Sequence, residues 1–321
     1  MSHGPLWLAD WSDSEDADFH IACAAAAVEA EVLRSAPLGG LVGVPRHRLR
    51  TWPAYLALAL RALRRSQGRP IVAWQPLAGA AVGLLARGRG PRLVLLNPLL
   101  EPERHGFRQR LLLSGARHAH RVLFFTRGGL ETAVTLGLNR DRLAFVPLGV
   151  RARREAPSPP GRYLLAAGRE ERDWDTLAAA AYGLDAEVRV LGPPSLPPGS
   201  PLHLLPPVHR EEFLALLEGA AALVVPLRRT DRTAGQLAVL DAMSVGRGVV
   251  ATRAQGTEDY VRPSTGRLVP ARDAAALRAA LREVLVPGVA SALGAAALAA
   301  AQGPFSLERF VAAADAEARG L

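Results

Sequence analysis

The chain has 321 residues, of which 49% are apolar and only 5% aromatic, and it carries a formal net charge of +9. That length suits two domains, each with a sizeable core, and the scarcity of aromatic platforms together with the lack of a basic stripe speaks against nucleic acid as a partner. The lone Cys23 excludes a disulfide framework or Cys-rich metal site, and because Lys is absent all 39 Lys+Arg positions are Arg, so any one Arg carries less functional information than usual.

Residues 5–11 read as a strand and 17–33 as an Ala-rich helix behind an acidic turn (Asp10, Asp13, Glu15, Asp16, Asp18). A short buried strand is expected at 41–44 and a helix at 52–65. Short apolar runs at 71–74, 93–96, 122–125 and 143–147 then alternate with helical stretches at 77–86, 107–118 and 129–136. Such alternation predicts a parallel sheet with crossover helices. The Pro-, Arg- and Ser-rich stretch 151–161 reads as a linker between a domain of 1–150 and one of 151–321. Beyond it the alternation restarts, with strands at 163–167, 188–191, 222–226 and 248–252. Helices are expected at 174–182, 210–219, 236–245 and 274–285, with a Pro-rich loop at 193–201. Phe213, Leu216, Leu217 and Ala220 recur on one helical face, as do Leu277, Leu281, Val284 and Leu285. The Ala-rich 290–301 reads as a helix.

The acidic opening lacks the basic region of a secretory signal. Apolar stretches such as 21–28 and 291–301 are too short to span a bilayer. A cytoplasmic protein is expected, with peripheral contact at the inner face of a membrane through an Arg-rich surface left open. The runs Arg46-His47-Arg48, 151–154 and Arg228-Arg229 read equally as solvated surface or as a binding patch.

The chain has neither G-x-G-x-x-G nor G-x-x-x-x-G-K-[ST], which excludes an ordinary dinucleotide dehydrogenase or P-loop kinase. Two Rossmann-like halves would instead place a ligand at the carboxyl ends of their strands, around one cleft. Ala167-Gly168-Arg169-Glu170-Glu171-Arg172-Asp173-Trp174 follows a predicted strand and opens a helix. Gly168 permits a tight turn, and Arg169 and Arg172 at the cleft edge could grip a diphosphate with paired bonds. A plain strand-to-helix turn with surface Arg is the competing reading. Thr233-Ala234-Gly235-Gln236-Leu237 runs into a helix N-terminus, whose backbone N–H groups suit phosphate or sugar oxygens. Asp241, one to two turns further on, is either an acceptor for a ribose diol or a solvent-facing carboxylate. In Gly256-Thr257-Glu258-Asp259-Tyr260-Val261, the acidic pair reads as structural in preference to a place near the cleft. His118 and His120, two residues apart, do not share a helical face, which argues against a metal site.

Several segments, taken in order, resemble retaining glycosyltransferases of the GT-B fold, especially family 4 (group 1). Phe145-Val146-Pro147-Leu148-Gly149-Val150 resembles the strand closing that family's N-terminal domain, and 164–177 its "GR…K" strand-turn-helix. The run from Leu240-Asp241-Ala242-Met243 through Gly246 to Val249-Val250-Ala251-Thr252 is similar to "LEAMA-x-G-x-PVVAT". Residues 266–273 resemble "GxLVPxxD", and Phe305-Ser306-Leu307-Glu308-Arg309-Phe310 the closing "FS" helix. The match covers about 120–315.

This resemblance implies an α/β GT-B fold of two Rossmann-like domains with parallel sheets facing an interdomain cleft, the N-terminal one on the acceptor side and short. It implies a hexosyltransferase moving a sugar, with retention and without a metal or other cofactor, from a nucleotide-diphosphate sugar (UDP or GDP) to a glycan, lipid-linked or small-molecule acceptor, as in cell-envelope or polysaccharide biosynthesis. Arg169 then takes the place of the family's phosphate-binding Arg and Arg172 that of its Lys, both stabilising the leaving group, with no base assigned. Gly168, Arg169, Arg172, Thr233, Ala234, Gly235, Gln236, Leu237 and Asp241 form the implied donor site. Asp241 keeps the charge of the ribose-binding Glu on a shorter arm, while Thr233 stands where the family has a Glu contacting the donor sugar. In the first half only Gly39-Gly40 offers the family's Gly-rich loop, and His105 reads as a surface residue in preference to a donor contact. Two alternatives remain: a sugar-nucleotide epimerase of the same fold, and a degenerate nucleotide-sugar-binding or regulatory partner subunit.

Overall fold

The computed structural model describes residues 4–9, 30–34, 52–101, 106–168, 171–192, 195–196 and 198–320. The expected strand at 41–44, the Gly39-Gly40 loop, Cys23, Arg46-His47-Arg48, His105 and Arg169 lie outside them. The chain divides into two compact units, 1–148 with 307–321 and 149–306. The expected 151–321 domain is therefore corrected at its far end, where the last fifteen residues join the first unit.

The first unit begins with β1 (Leu6–Ala9), β2 (Glu31–Arg34), α1 (Trp52–Ser66), β3 (Ile71–Ala73), α2 (Pro76–Ala86) and β4 (Leu93–Leu96). It continues through α3 (Phe107–Arg117), β5 (Arg121–Phe124), α4 (Arg127–Thr135) and β6 (Leu143–Phe145). The six strands pair in the order β2-β1-β3-β4-β5-β6, all parallel. Strands such as β4 are apolar at every position and buried throughout, the pattern of a parallel sheet covered on both faces. Thr126 caps α4 by accepting a hydrogen bond from the Gly129 N–H at 3.1 Å.

Of the predicted helix 17–33, residues 17–29 lie outside the described residues, and 30–33 are not helical. Val32 and Leu33 pair with Trp7 and Leu8 in a strand, and Glu31 is held by Arg65 and Arg69 at 2.6 and 2.8 Å. The Ala-rich sequence runs up to Glu31 without a Gly or Pro, so composition alone did not set the strand apart. The closing helix Leu307–Arg319 is tied down by Arg121, which forks onto Glu317 at 2.6 and 2.8 Å. Phe310 on that helix meets the rings of Trp74 and Phe125 edge-on.

The second unit contains β7 (Leu164–Ala167), α5 (Trp174–Ala181), β8 (Val188–Leu191), β9 (Leu202–Leu204), α6 (Arg210–Glu218) and β10 (Ala222–Val225). It is completed by α7 (Gln236–Ser244), β11 (Gly248–Thr252), β12 (Gly266–Val269), α8 (Ala274–Val284) and α9 (Pro287–Gln302). Its sheet is again six-stranded and parallel, in the order β12-β11-β10-β7-β8-β9. From β7 the chain winds outward through β8 and β9, then returns to the other side of β7 as β10. The order therefore reverses between β7 and β10, the switch point at which open α/β sheets bind ligands. Leu164, Val190, Val224, Val250, Leu277 and Leu281 form part of the core beneath it.

The segment 151–161 is pinned within this unit. Arg153 pairs with Glu211 at 2.7 Å, and Arg247, only 2% exposed, lies under the segment. The Arg247 guanidinium donates to the Ser158 carbonyl at 2.9 Å, the Ser158 hydroxyl at 2.7 Å, the Pro159 carbonyl at 2.9 Å and the Glu218 carbonyl at 2.9 Å. With the Gly246 carbonyl at 2.9 Å, five acceptors surround this cation, whose pKa burial lowers. Arg247→Met should cost about 2–4 kcal/mol in the unfolding of this unit, because several carbonyls lose a charged donor at once. Urea denaturation checks this; a midpoint equal to that of the unaltered protein would contradict it.

Candidate functional site: a pocket at the strand-order switch point

The pocket opens at the carboxyl ends of β7 and β10. Its volume is about 520 Å³, and it is lined by Ala167, Gly168, Arg172, Phe213, Thr233, Ala234, Gly235, Gln236, Leu237, Ala238 and Asp241. It brings together every residue of the sequence-derived donor site among the described residues; Arg169 falls outside them.

After β7 the chain must turn sharply. Gly168 has φ +122°, and a Cβ there would fall 2.3 Å from the Arg172 guanidinium. Only glycine lets that guanidinium lie against the turn. Arg172 differs from the expected position at an open edge. It is buried at 8% exposure, its Nε donates to the Ala167 carbonyl at 2.8 Å, and its backbone bridges to Leu227. It forms a fixed wall of the pocket, and α5 begins two residues later with Asp173 accepting from the Thr176 N–H.

The opposite wall is the N-terminus of α7. Gly235 occupies the cap position at φ +90° and offers no side-chain cap. Val239 is the first residue of α7 whose N–H bonds back to the Gly235 carbonyl, at 3.0 Å. The amides of Gln236, Leu237 and Ala238 therefore sit in the open first turn, where the helix dipole favours an anion.

Asp241 is not the solvent-facing carboxylate of the simpler reading; it is 6% exposed. Arg210, at the start of α6, forks onto it at 2.6 and 3.2 Å. Arg210 and Phe213 are additions that spacing did not reveal. Arg210 lies 31 residues from its partner, and Phe213 had the pattern of an ordinary core-facing residue. Thr233, in the loop before α7, is half-buried and contributes no charge.

The segment after β11 buttresses this loop. The Thr252 hydroxyl accepts from the Leu227 N–H at 2.9 Å, and the Gln255 N–H donates to the Thr230 carbonyl at 2.9 Å. Gly256 packs so tightly that a Cβ would fall 1.8 Å from the Ala234 carbonyl oxygen. Glu258 is exposed and Asp259 buried, and neither lines the pocket. Gly256→Ala should push Ala234 inward, lowering stability by about 1–3 kcal/mol. Thermal melting checks this, and an unchanged midpoint would contradict it.

Elsewhere, the His120 Nδ1 accepts from the Leu93 N–H at 3.1 Å, so that ring is a backbone acceptor. Burial, then Arg92 and Arg142, keep its pKa below the usual imidazole range. Among the described residues no three His, Cys, Asp or Glu side chains are grouped to hold a metal, and no single helix is long and apolar enough to cross a membrane.

Two doubly wound units on all-parallel sheets, the second with an anion-suited pocket at its switch point, have the architecture of the GT-B fold. The sequence comparison narrows this, since residues 161–286 match the family described as "Glycosyl transferases group 1". The resemblance read from the motifs, to a group 1 glycosyltransferase of the GT-B fold, stands on that match. Solved structures share the fold. Sucrose-phosphate synthase from Thermosynechococcus elongatus superposes with a TM-score of 0.76 at 19% identity, over 99% of this chain and 98% of that one. Anabaena HepE, solved with UDP and glucose, gives 0.73 at 15% identity, over 98% and 99%. WaaG, a glycosyltransferase involved in lipopolysaccharide biosynthesis, gives 0.68 at 14% identity, over 98% and 100%. At these identities the likeness is one of fold. No protein in the curated set matches the sequence.

Proposed function

We propose that the chain transfers a hexosyl group from a nucleoside-diphosphate sugar to a glycan, lipid-linked or small-molecule acceptor, with retention and without a metal. The observation that carries this reading is the convergence, in one pocket, of Arg172, the open N-terminus of α7 and the Asp241 carboxylate. A pyrophosphate-linked ribose needs those three partners: a cation, a set of backbone amides and a paired acceptor. HepE, which shares the fold, has been solved with UDP and with UDP-glucose, and this supports a uridine donor over a guanosine one.

In the transfer step the acceptor hydroxyl oxygen bonds to the anomeric carbon as the bond from that carbon to the diphosphate oxygen breaks; the hydroxyl proton passes to the departing diphosphate, on which negative charge builds. Arg172 is fixed before the reaction by its bond to the Ala167 carbonyl, so it need not reorganise as that charge grows. Stabilisation of this kind accelerates the step only as far as it is stronger in the transition state than in the bound donor. The same electrostatics make a bound divalent cation unnecessary. A place in cell-envelope or polysaccharide synthesis is supported by the fold shared with WaaG, a glycosyltransferase involved in lipopolysaccharide biosynthesis.

The test is to supply UDP- and GDP-hexoses with a panel of glycan and lipid-linked acceptors and to follow nucleoside diphosphate release. An α-linked donor should give an α-linked product by NMR, with activity unchanged by EDTA. A product of inverted configuration would overturn retention. Release of an epimerised sugar without acceptor would establish the epimerase reading instead. A second reading, a nucleotide-sugar-binding subunit without turnover, draws on Thr233 standing where the resembled family has an acid; tight donor binding with no turnover on any acceptor would establish it.

A further inference from the structure

The ion pair beside the pocket has a role that the motifs do not assign. We propose that Arg210 is the positioning residue of the nucleotide site, holding the Asp241 carboxylate in the orientation that reads a ribose diol. This rests on the nucleoside-diphosphate reading above.

Four observations support it. The first is geometric: both carboxylate oxygens are engaged by one planar fork, Nη2 to Oδ1 at 2.6 Å and Nη1 to Oδ2 at 3.2 Å. An ionised carboxylate has about four acceptor sites, so a fork that uses two leaves two for a pair of hydroxyls. The second is burial, with side-chain exposures of 19% for Arg210 and 8% for Asp241. In that setting a fixed pair keeps one arrangement, whereas a lone short acid would have no such guide.

The third is placement. Arg210 opens α6, where the helix dipole disfavours a cation, and the next two residues, Glu211 and Glu212, follow the usual acidic preference. Helix stability therefore gives no reason for Arg at that position; Asp241 does. The fourth is direction. Phe213, one turn further along α6, lines the pocket together with Asp241, so the first turn of α6 is presented to the site.

The experiment is calorimetric titration of UDP and 2′-deoxy-UDP, and of GDP and 2′-deoxy-GDP, into the full chain and into Arg210→Met. The unaltered protein should prefer the ribonucleotide of its chosen base by about tenfold or more, the worth of one hydrogen bond to a charged acceptor. Arg210→Met should bring that preference to within about twofold. A merely structural role for Arg210 would lower stability without changing the ratio. If Arg210→Met does not fold, Arg210→Lys decides on the same ratio, because it keeps the charge and loses the planar fork. A folded variant that keeps the full ribose preference overturns the proposal and leaves the nucleotide reading intact. Equal binding of ribo and deoxy forms by the unaltered protein overturns it as well. Absence of any nucleotide binding by the unaltered protein overturns both.

Discussion

Arg172→Met should lower donor turnover by about 10²–10³-fold, with a much smaller change in donor affinity. The magnitude is that of removing one preorganised charge partner from a developing anion. Among the described residues Arg172 is the cation that lines the pocket, and its orientation is set by the Ala167 carbonyl and by the absence of a side chain at Gly168. The fold should lose about 1–2 kcal/mol, since the hydrogen bond to the Ala167 carbonyl is removed while the methionine fills much of the space. Arg228, exposed and paired with Asp175 at 3.2 Å, is the control. Its replacement by Met should leave both rate and stability near those of the unaltered protein. Steady-state kinetics checks both variants. A drop of less than about fivefold for Arg172→Met would remove Arg172 from the leaving-group role.

Asp241→Ala should strike stability and affinity together. The carboxylate is the partner of a largely buried guanidinium, and deleting one member of such a pair costs about 3–5 kcal/mol because the other charge stays in place. The donor loses its ribose acceptor at the same time, so its Michaelis constant should rise at least about tenfold. Asp241→Asn separates the effects. It retains a polar group opposite Arg210 and should recover part of the stability, yet an amide in place of the carboxylate weakens the acceptor for both hydroxyls. Denaturant midpoints and donor kinetics on the two variants check this. An alanine variant as stable as the starting protein would show that the Arg210 pair contributes nothing.

Much of the fold was legible because both sheets are parallel and buried. Runs such as Leu93–Leu96 and Ala222–Val225 are continuous apolar strands, and helices such as Ala274–Val284 carry a regular apolar stripe. Edge strands were harder. In β9 only Leu202 is buried, with His203 and Leu204 exposed and Pro201 and Pro206 nearby, so its composition resembles a loop. β12 begins with Gly266 and carries Arg267, which pairs with Glu283 on α8, and it showed no apolar run. β2 was concealed by the Ala-rich stretch that precedes it. The return of the closing helix to the first unit is a tertiary fact, fixed by Glu317 and Phe310 meeting residues about 200 positions earlier, and no local pattern encodes it.

The pocket was legible where chemistry is local. Gly168 and Gly235 mark the turns, and the loop-to-helix junction at Gln236 marks the anion-suited end. The pairing of Arg210 with Asp241 was not, because it joins two helices across an intervening strand and depends on side-chain direction. The Arg-rich composition worked against it too: with 39 Arg residues, one more at position 210 carried no signal.

The central claim is that the second unit holds a nucleoside diphosphate at its strand-order switch point. A crystal structure of the full chain grown with UDP or GDP tests it most directly. The account predicts diphosphate density at the N-terminus of α7 beside Arg172, with the ribose hydroxyls on Asp241. Nucleotide bound elsewhere on the chain, or an empty pocket at millimolar nucleotide, would contradict it.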